Sequence, residues 1–169
     1  MFDIGEYIIY GNHGVCEVKE ISKKTISSII GEKLYYTLAP VYTKGSTIYS
    51  PVDNGKVAIR SVLTKAEAEE LIESMPEIGL IENVEEKKRE ILYKDMIRSC
   101  NCKALISMIK TLYKRRKERI EEGKKFTAVD ERYYNQAKGC LYGEIAIALD
   151  MDMEDVEDYI IHRIENLPE

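Results

Sequence analysis

Tryptophan is missing from this chain, and histidine and phenylalanine occur only twice each. So few imidazoles leave general-base and metal chemistry little to draw on. His13 lies in the turn Gly11-Asn12-His13-Gly14 with no serine, cysteine or carboxylate constellation around it, so it is expected to pack or hydrogen-bond the fold. His162 falls on an amphipathic helical stretch. Neither a Gly-x-x-x-x-Gly-Lys-Ser/Thr nor a Gly-x-Gly-x-x-Gly loop occurs, so nucleotide-driven chemistry is without support. No segment approaches the roughly 20 consecutive apolar residues that span a bilayer. Met1-Phe2-Asp3-Ile4-Gly5 also lacks the basic and apolar regions of a secretory signal, so a cytoplasmic protein is expected. Cysteine is scarce as well. Cys100 and Cys102 are close, but Cys16 and Cys140 have no near partner. A structural zinc site is usually built from two close ligand pairs, so free thiols and no metal or other cofactor are expected. Asp130 and Glu131 at a helix start serve the helix dipole more readily than acid–base chemistry. No catalytic residue and no enzymatic activity are expected.

What is present is charge, unevenly spread. The net charge is −5, yet residues 87–125 carry 14 basic against 5 acidic groups, while residues 63–86 and 126–169 are strongly acidic. Such a pattern supplies a cationic patch on an acidic protein. Tyrosine is abundant, at 12 residues, and Tyr7, Tyr10, Tyr35, Tyr36, Tyr42 and Tyr49 crowd the first third. They suit either a small core of half-buried rings or an aromatic binding surface.

Residues 1–62 read as five short strands: 6–10, 15–21, 34–38, 47–50 and 57–60, separated by Gly, Pro and Asn turns. In the second, alternation places Val15, Glu17, Lys19 and Ile21 on one side and Cys16, Val18 and Glu20 on the other. This pattern predicts a small five-stranded barrel of the SH3 or Tudor kind. From Thr64 the period becomes helical, giving an all-α bundle of about five helices over residues 63–169. Thr64-Lys65-Ala66-Glu67 is a capping-box sequence. A second helix is expected over 82–98. A third over 102–121 carries Leu105, Ile109, Leu112, Tyr113, Arg116 and Ile120 at helical spacing. A fourth is capped by Thr127, with Val129, Tyr133, Ala137, Cys140, Leu141, Ile145, Ala148 and Leu149 inward, and a fifth is capped by Asp152. Gly139 and Gly143 share one face of the fourth helix, where a missing side chain permits close helix approach.

The opening Ile4-Gly5-Glu6-Tyr7-Ile8-Ile9-Tyr10-Gly11-Asn12-His13-Gly14-Val15 resembles the start of CarD-type bacterial transcription regulators, the family shared with the polymerase-interacting domain of transcription-repair coupling factor. Ile48-Tyr49-Ser50-Pro51-Val52-Asp53-Asn54 and Leu141-Tyr142-Gly143-Glu144-Ile145-Ala146 are similar to two further family segments, in the family's order. The resemblance implies an N-terminal Tudor-like domain that pairs a sheet edge with the RNA polymerase β subunit, and a helical domain at promoter DNA that biases the open complex. The implied polymerase-binding residues are Lys24, Thr25, Ile26, Ile48 and Tyr49, with Tyr49 close to where better-known members carry arginine. The family's DNA-facing cluster falls on Lys87, Lys88 and Arg89. Members that wedge a tryptophan into the bubble edge carry it just before that cluster, where this chain has Glu86. A carboxylate does not stack on a base and is repelled by phosphate, so that wedge is not transferable.

Lys114, Arg115, Arg116, Lys117, Arg119, Lys124 and Lys125 form the densest charge. They read equally as a phosphate-facing, non-specific DNA surface or as a solvated helix face paired with Glu154, Asp155, Glu157 and Asp158. Two functions follow: a polymerase-bound regulator touching promoter DNA through phosphates, nucleoid-associated when on polymerase, or a protein–protein adaptor that never touches DNA.

Overall fold

The structure is a computed structural model that describes residues 1–168. Strands β1 (Tyr7–Tyr10), β2 (Val15–Lys24), β3 (Lys33–Pro40), β4 (Ile48–Pro51) and β5 (Ile59–Ser61) form one antiparallel sheet in the order β4-β3-β2-β1-β5. Helices α1 (Lys65–Ser74), α2 (Arg89–Arg98), α3 (Cys102–Glu121), α4 (Ala128–Leu149) and α5 (Val156–Glu165) follow.

The sheet buries side chains on both faces. Ile8, Tyr10, Cys16, Val18, Tyr36 and Leu38 form its own core. On the opposite face Ile9 and Val15 meet Cys100, with Val41, Val62 and Ile147 packed around them. This two-sided burial explains why residues 7–10 are continuously apolar and aromatic rather than alternating. The alternation expected for β2 breaks at Lys19, because the pairing with β3 shifts register between Val18 and Glu20. The extra residue of this bulge turns Ile21 onto the core beside Cys16 and Val18.

Helix starts follow local chemistry. Thr64 Oγ1 accepts from the Glu67 amide at 3.2 Å, and Glu67 Oε2 accepts from the Thr64 amide at 2.7 Å, completing the capping box. Asn101 and Thr127 cap α3 and α4 by accepting from Ala104 and Asp130 amides. The second helix is shorter than expected. Asn83 takes a left-handed φ of 57°, and α2 begins only after a 3-10 turn at Glu86–Lys88. Asp152 makes no side-chain cap, because a 3-10 turn at Met153–Asp155 leads into α5. Tyr113 and Ile120, at helical spacing in α3, and Val129, expected inward in α4, are exposed. The buried positions of α3 end at Leu112, and the apolar ones of α4 begin at Tyr133.

The helical core joins Leu71, Ile72, Tyr93, Ile97, Leu105, Leu112, Tyr133, Leu141, Ile145, Val156 and Ile160. Each such burial contributes about 1.5–3 kcal/mol. No described helix is long and apolar enough to cross a membrane.

Candidate functional site

β4 pairs only with β3, so its outer side presents unpaired backbone groups among the described residues. Ile48 and Tyr49 lie on this strand, and Tyr49 is 51% exposed. Thr37 of β3 pairs with Tyr49. Lys24, at the end of β2, reaches across so that its Nζ sits 4.9 Å from the Tyr49 ring centroid. Thr25 and Ile26 start the exposed loop joining β2 to β3. The structure therefore brings Lys24 and Tyr49 together and leaves Thr25 and Ile26 beside them on the hairpin. Ile29 and Ile30 on the same loop are also exposed. The six tyrosines of the sheet divide by role. Tyr10, Tyr35 and Tyr36 are buried, while Tyr7, Tyr42 and Tyr49 reach the surface. His13 is exposed and stacks on Tyr10 with centroids 6.0 Å apart.

A second arrangement ties the sheet to the helices. Glu144 of α4 is only 1% exposed. Arg60 of β5 donates to it twice, Nη1 to Oε1 at 2.5 Å and Nη2 to Oε2 at 2.8 Å. The Leu63 amide donates to Oε1 at 3.1 Å, and the Cys102 thiol to Oε2 at 3.3 Å. Arg60 Nε donates to the Cys100 carbonyl at 2.8 Å. Burial alone would lower the Arg60 pKa, but the hydrogen bonds and charge of Glu144 raise it overall. One residue earlier, Gly143 lies under the Tyr42 ring, and a Cβ there would come within 2.6 Å of Cε2. The Tyr42 hydroxyl donates to the Gly143 carbonyl at 2.9 Å. The close approach expected of the two glycines is thus made by Gly143 to a ring of the sheet domain. Gly139 faces open space. All four thiols lie at or near this junction: Cys16 in the sheet core, and Cys100, Cys102 and Cys140 on the helical side. Cys100 Sγ approaches the Gly11 carbonyl at 3.5 Å, and Cys140 Sγ packs against Gly14. Burial pushes the Cys16 and Cys102 thiols up to about 12 and Cys140 to about 11. No group of three or more metal-binding side chains occurs among the described residues.

The cationic run is largely engaged internally. Arg115 donates to Glu86 Oε1 at 2.8 Å and to buried Asp130 at 3.1 Å. Arg89 pairs with the same Glu86 at 3.0 Å. Hydrogen bonding from Arg115 holds the Glu86 carboxyl below the usual carboxylate range. Arg116 lies 5.9 Å from the Phe126 ring centroid, and Arg119 Nε donates to the Lys125 carbonyl at 2.8 Å. Lys88, Lys114 and Lys124 face Glu85, Glu118 and Glu122. Lys87, Lys117 and Lys125 are exposed. Pairing with the final helix does not occur among the described residues. Glu157 of α5 instead meets Lys138, and Arg163 of α5 meets Glu69 and Glu73.

The profile of the CarD-like/TRCF RID domain matches residues 2–63, and that of the CarD C-terminal domain matches residues 70–161. The chain belongs to the CarD family. No curated protein matches it. CarD-family domains are regulatory interaction modules of transcription factors that bind RNA polymerase. In this CarD-family chain the Leu141–Ala146 motif has a structural meaning: its glycine seats Tyr42 and its glutamate clamps Arg60. Arg60 carries no sequence signal of its own, reading as an ordinary strand end, and Tyr42 is marked only as one of six tyrosines in the first third.

Proposed function

We propose that this protein is a non-enzymatic transcription regulator that docks on the β subunit of RNA polymerase. In this reading residues 1–62 are the docking module, and residues 63–169 form a helical domain that modulates open-complex formation. Its place is the cytoplasm, on the nucleoid when polymerase-bound. The single observation that carries the proposal is the open β4 edge, with half-exposed Tyr49 against Lys24, on the module that matches the RID domain. An added strand would gain main-chain hydrogen bonds along Ile48 and Tyr49, while Lys24, Thr25 and Ile26 select the partner's side chains. The DNA-contacting groups of this reading are Lys87, Lys88, Arg89, Lys114, Arg115, Arg116, Lys117, Arg119, Lys124 and Lys125, acting on phosphates.

Capture of polymerase β subunit by the full chain tests the edge. Lys24→Glu combined with Tyr49→Ala is expected to weaken capture by at least about tenfold, equivalent to roughly 1.4 kcal/mol of binding free energy. Unchanged capture would refute this placement. A second reading, a polymerase-bound adaptor that leaves DNA untouched, is favoured by one observation: Glu86 and Asp130 already occupy Arg115, and Glu86 also holds Arg89. A mobility shift with promoter DNA across a salt series separates the two readings, because phosphate binding strengthens steeply as salt falls.

A further inference from the structure

We propose that the cleft between the sheet domain and helices α2 and α4 is a phosphate-binding site, formed by Lys56, Lys94, Arg98 and Arg132 with Asn12. Its ligand is a chain of linked phosphates, drawn either from a nucleic-acid strand or from a free oligophosphate. The proposal deepens the polymerase reading without depending on the β4 edge.

Two cavities of about 340 and 330 Å³ adjoin here, and Asn12 and Arg98 line both. Lys94, Arg132 and Gln136 complete the first and Lys56 the second, with no carboxylate in either lining. These four cations come from the segment before β5, from α2 and from α4, so no run in the sequence marks them. Lys94 and Arg132 share a single counter-ion, Glu90, at 3.4 and 3.1 Å. Lys56 and Arg98 have no ion-pair partner among the described residues. Four convergent cations balanced by one carboxylate repel one another, and an oxyanion would relieve that repulsion.

The lining chemistry agrees. Lysine and arginine are donors only, and the amides of Asn12 and Gln136 add more donors, which suits phosphate oxygens and offers little to a cation. The walls are fixed rather than loose. The Gly11 amide donates to the Ala58 carbonyl at 2.9 Å, and Gly11 holds a positive φ of 49° where a Cβ would meet Val57 at 2.8 Å. This packing seats the Gly11–His13 turn directly on the segment carrying Lys56. Concave cavities of this size suit a compact chain of phosphates better than a flat protein surface does.

The test uses the full chain with two probes, inorganic tripolyphosphate and a short DNA duplex, each titrated across a salt series. Lys56 and Arg98 are exposed, so Lys56→Glu with Arg98→Glu is expected to leave the melting temperature near that of the parent. It should weaken whichever probe binds by at least about tenfold. On duplex it should reduce the slope of log affinity against log salt by about 1.8, which is about 0.9 for each phosphate no longer neutralised. Lys44→Glu with Lys65→Glu, exposed residues that line neither cavity, should change either probe far less. Tripolyphosphate binding that depends on Lys56 and Arg98 supports a free oligophosphate ligand, and dependent duplex binding supports a nucleic-acid strand. Binding of neither probe, or binding indifferent to Lys56 and Arg98, would overturn the site. Capture of polymerase β subunit, measured on the same variants, reports separately on the docking reading.

Discussion

Replacing Glu144 by alanine tests whether one buried carboxylate ties the sheet to the helices. Glu144 accepts two hydrogen bonds from Arg60, one from the Leu63 amide and one from the Cys102 thiol. Without it, the guanidinium loses its counter-charge and the Leu63 amide loses its acceptor. Removing one partner of a fully buried ion pair costs about 3–5 kcal/mol, because the other charge is stranded. The Arg60 side chain keeps 32% exposure and has some recourse to water. That access places Glu144→Ala at the lower end, about 3 kcal/mol. For a chain of this length, such a loss lowers Tm by about 6–12 °C. Adding Arg60→Met should recover much of it, since apolar replacement of both partners of a buried pair is often nearly neutral. Urea denaturation of wild type, Glu144→Ala, Arg60→Met and the Glu144→Ala, Arg60→Met double variant gives the coupling as a double-mutant cycle. A loss below about 1 kcal/mol for Glu144→Ala, or a coupling within about 0.5 kcal/mol of zero, would refute the clamp.

Two further outcomes follow from the same junction. Gly143→Ala forces a Cβ against the Tyr42 ring and should cost about 1–3 kcal/mol. Gly139→Ala meets nothing within 4 Å and should stabilise α4 by up to about 1 kcal/mol. Thermal melts giving the opposite order would refute the packing at Tyr42. The thiols of Cys16, Cys102 and Cys140, raised chiefly by burial from 9.0 to about 11–12, hold almost no thiolate near neutral pH. Because these folded pKa values lie above the unfolded one, their contribution to stability is intact below pH 9.0 and is lost as pH rises through about 11–12. Iodoacetamide at mildly alkaline pH should label them slowly in the native protein and rapidly in denaturant, and fast native labelling of buried Cys16 would contradict the assignment.

Strand and helix placement was largely legible because each element carries its own local chemistry. Turn glycines and prolines bound the strands, and Thr64 and Thr127 announce their helices through side-chain caps. Misreadings arose where tertiary context overrode local pattern. A bulge at Lys19 reversed the faces of β2, and a left-handed Asn83 cut short a helix whose sequence continues without a break. The junction was legible only as a family motif. Glu144 sits 84 residues from Arg60, and Gly143 sits 101 from Tyr42. Contacts at such separations leave no periodicity in either segment, so residue type alone does not announce them. The edge at β4 was legible only through the family resemblance, which implied Ile48 and Tyr49 as edge residues, since the local pattern marks a short strand and not its place in the sheet.

Charge runs illustrate the same gap between sequence density and available charge. Arg115 and Arg89 sit in the most cationic third of the chain, yet Glu86 draws both toward one carboxylate, and Asp130 holds Arg115 from the other side. Arg119 is turned back onto the Lys125 carbonyl. Arginines held in this way give up existing hydrogen bonds before they reach a phosphate, so each contributes less to binding than its charge suggests. Lys56 lies outside the cationic third and Arg98 within it, and both keep their side chains free of ion pairs at a concave surface among the described residues. A glutamate at position 86 therefore does more than remove a stacking group. It fastens the start of α2 to α3 and spends two arginines in doing so. The cations left for an anionic partner are then exposed lysines such as Lys87, Lys117 and Lys125, and the cleft cations that the fold brings together from three segments.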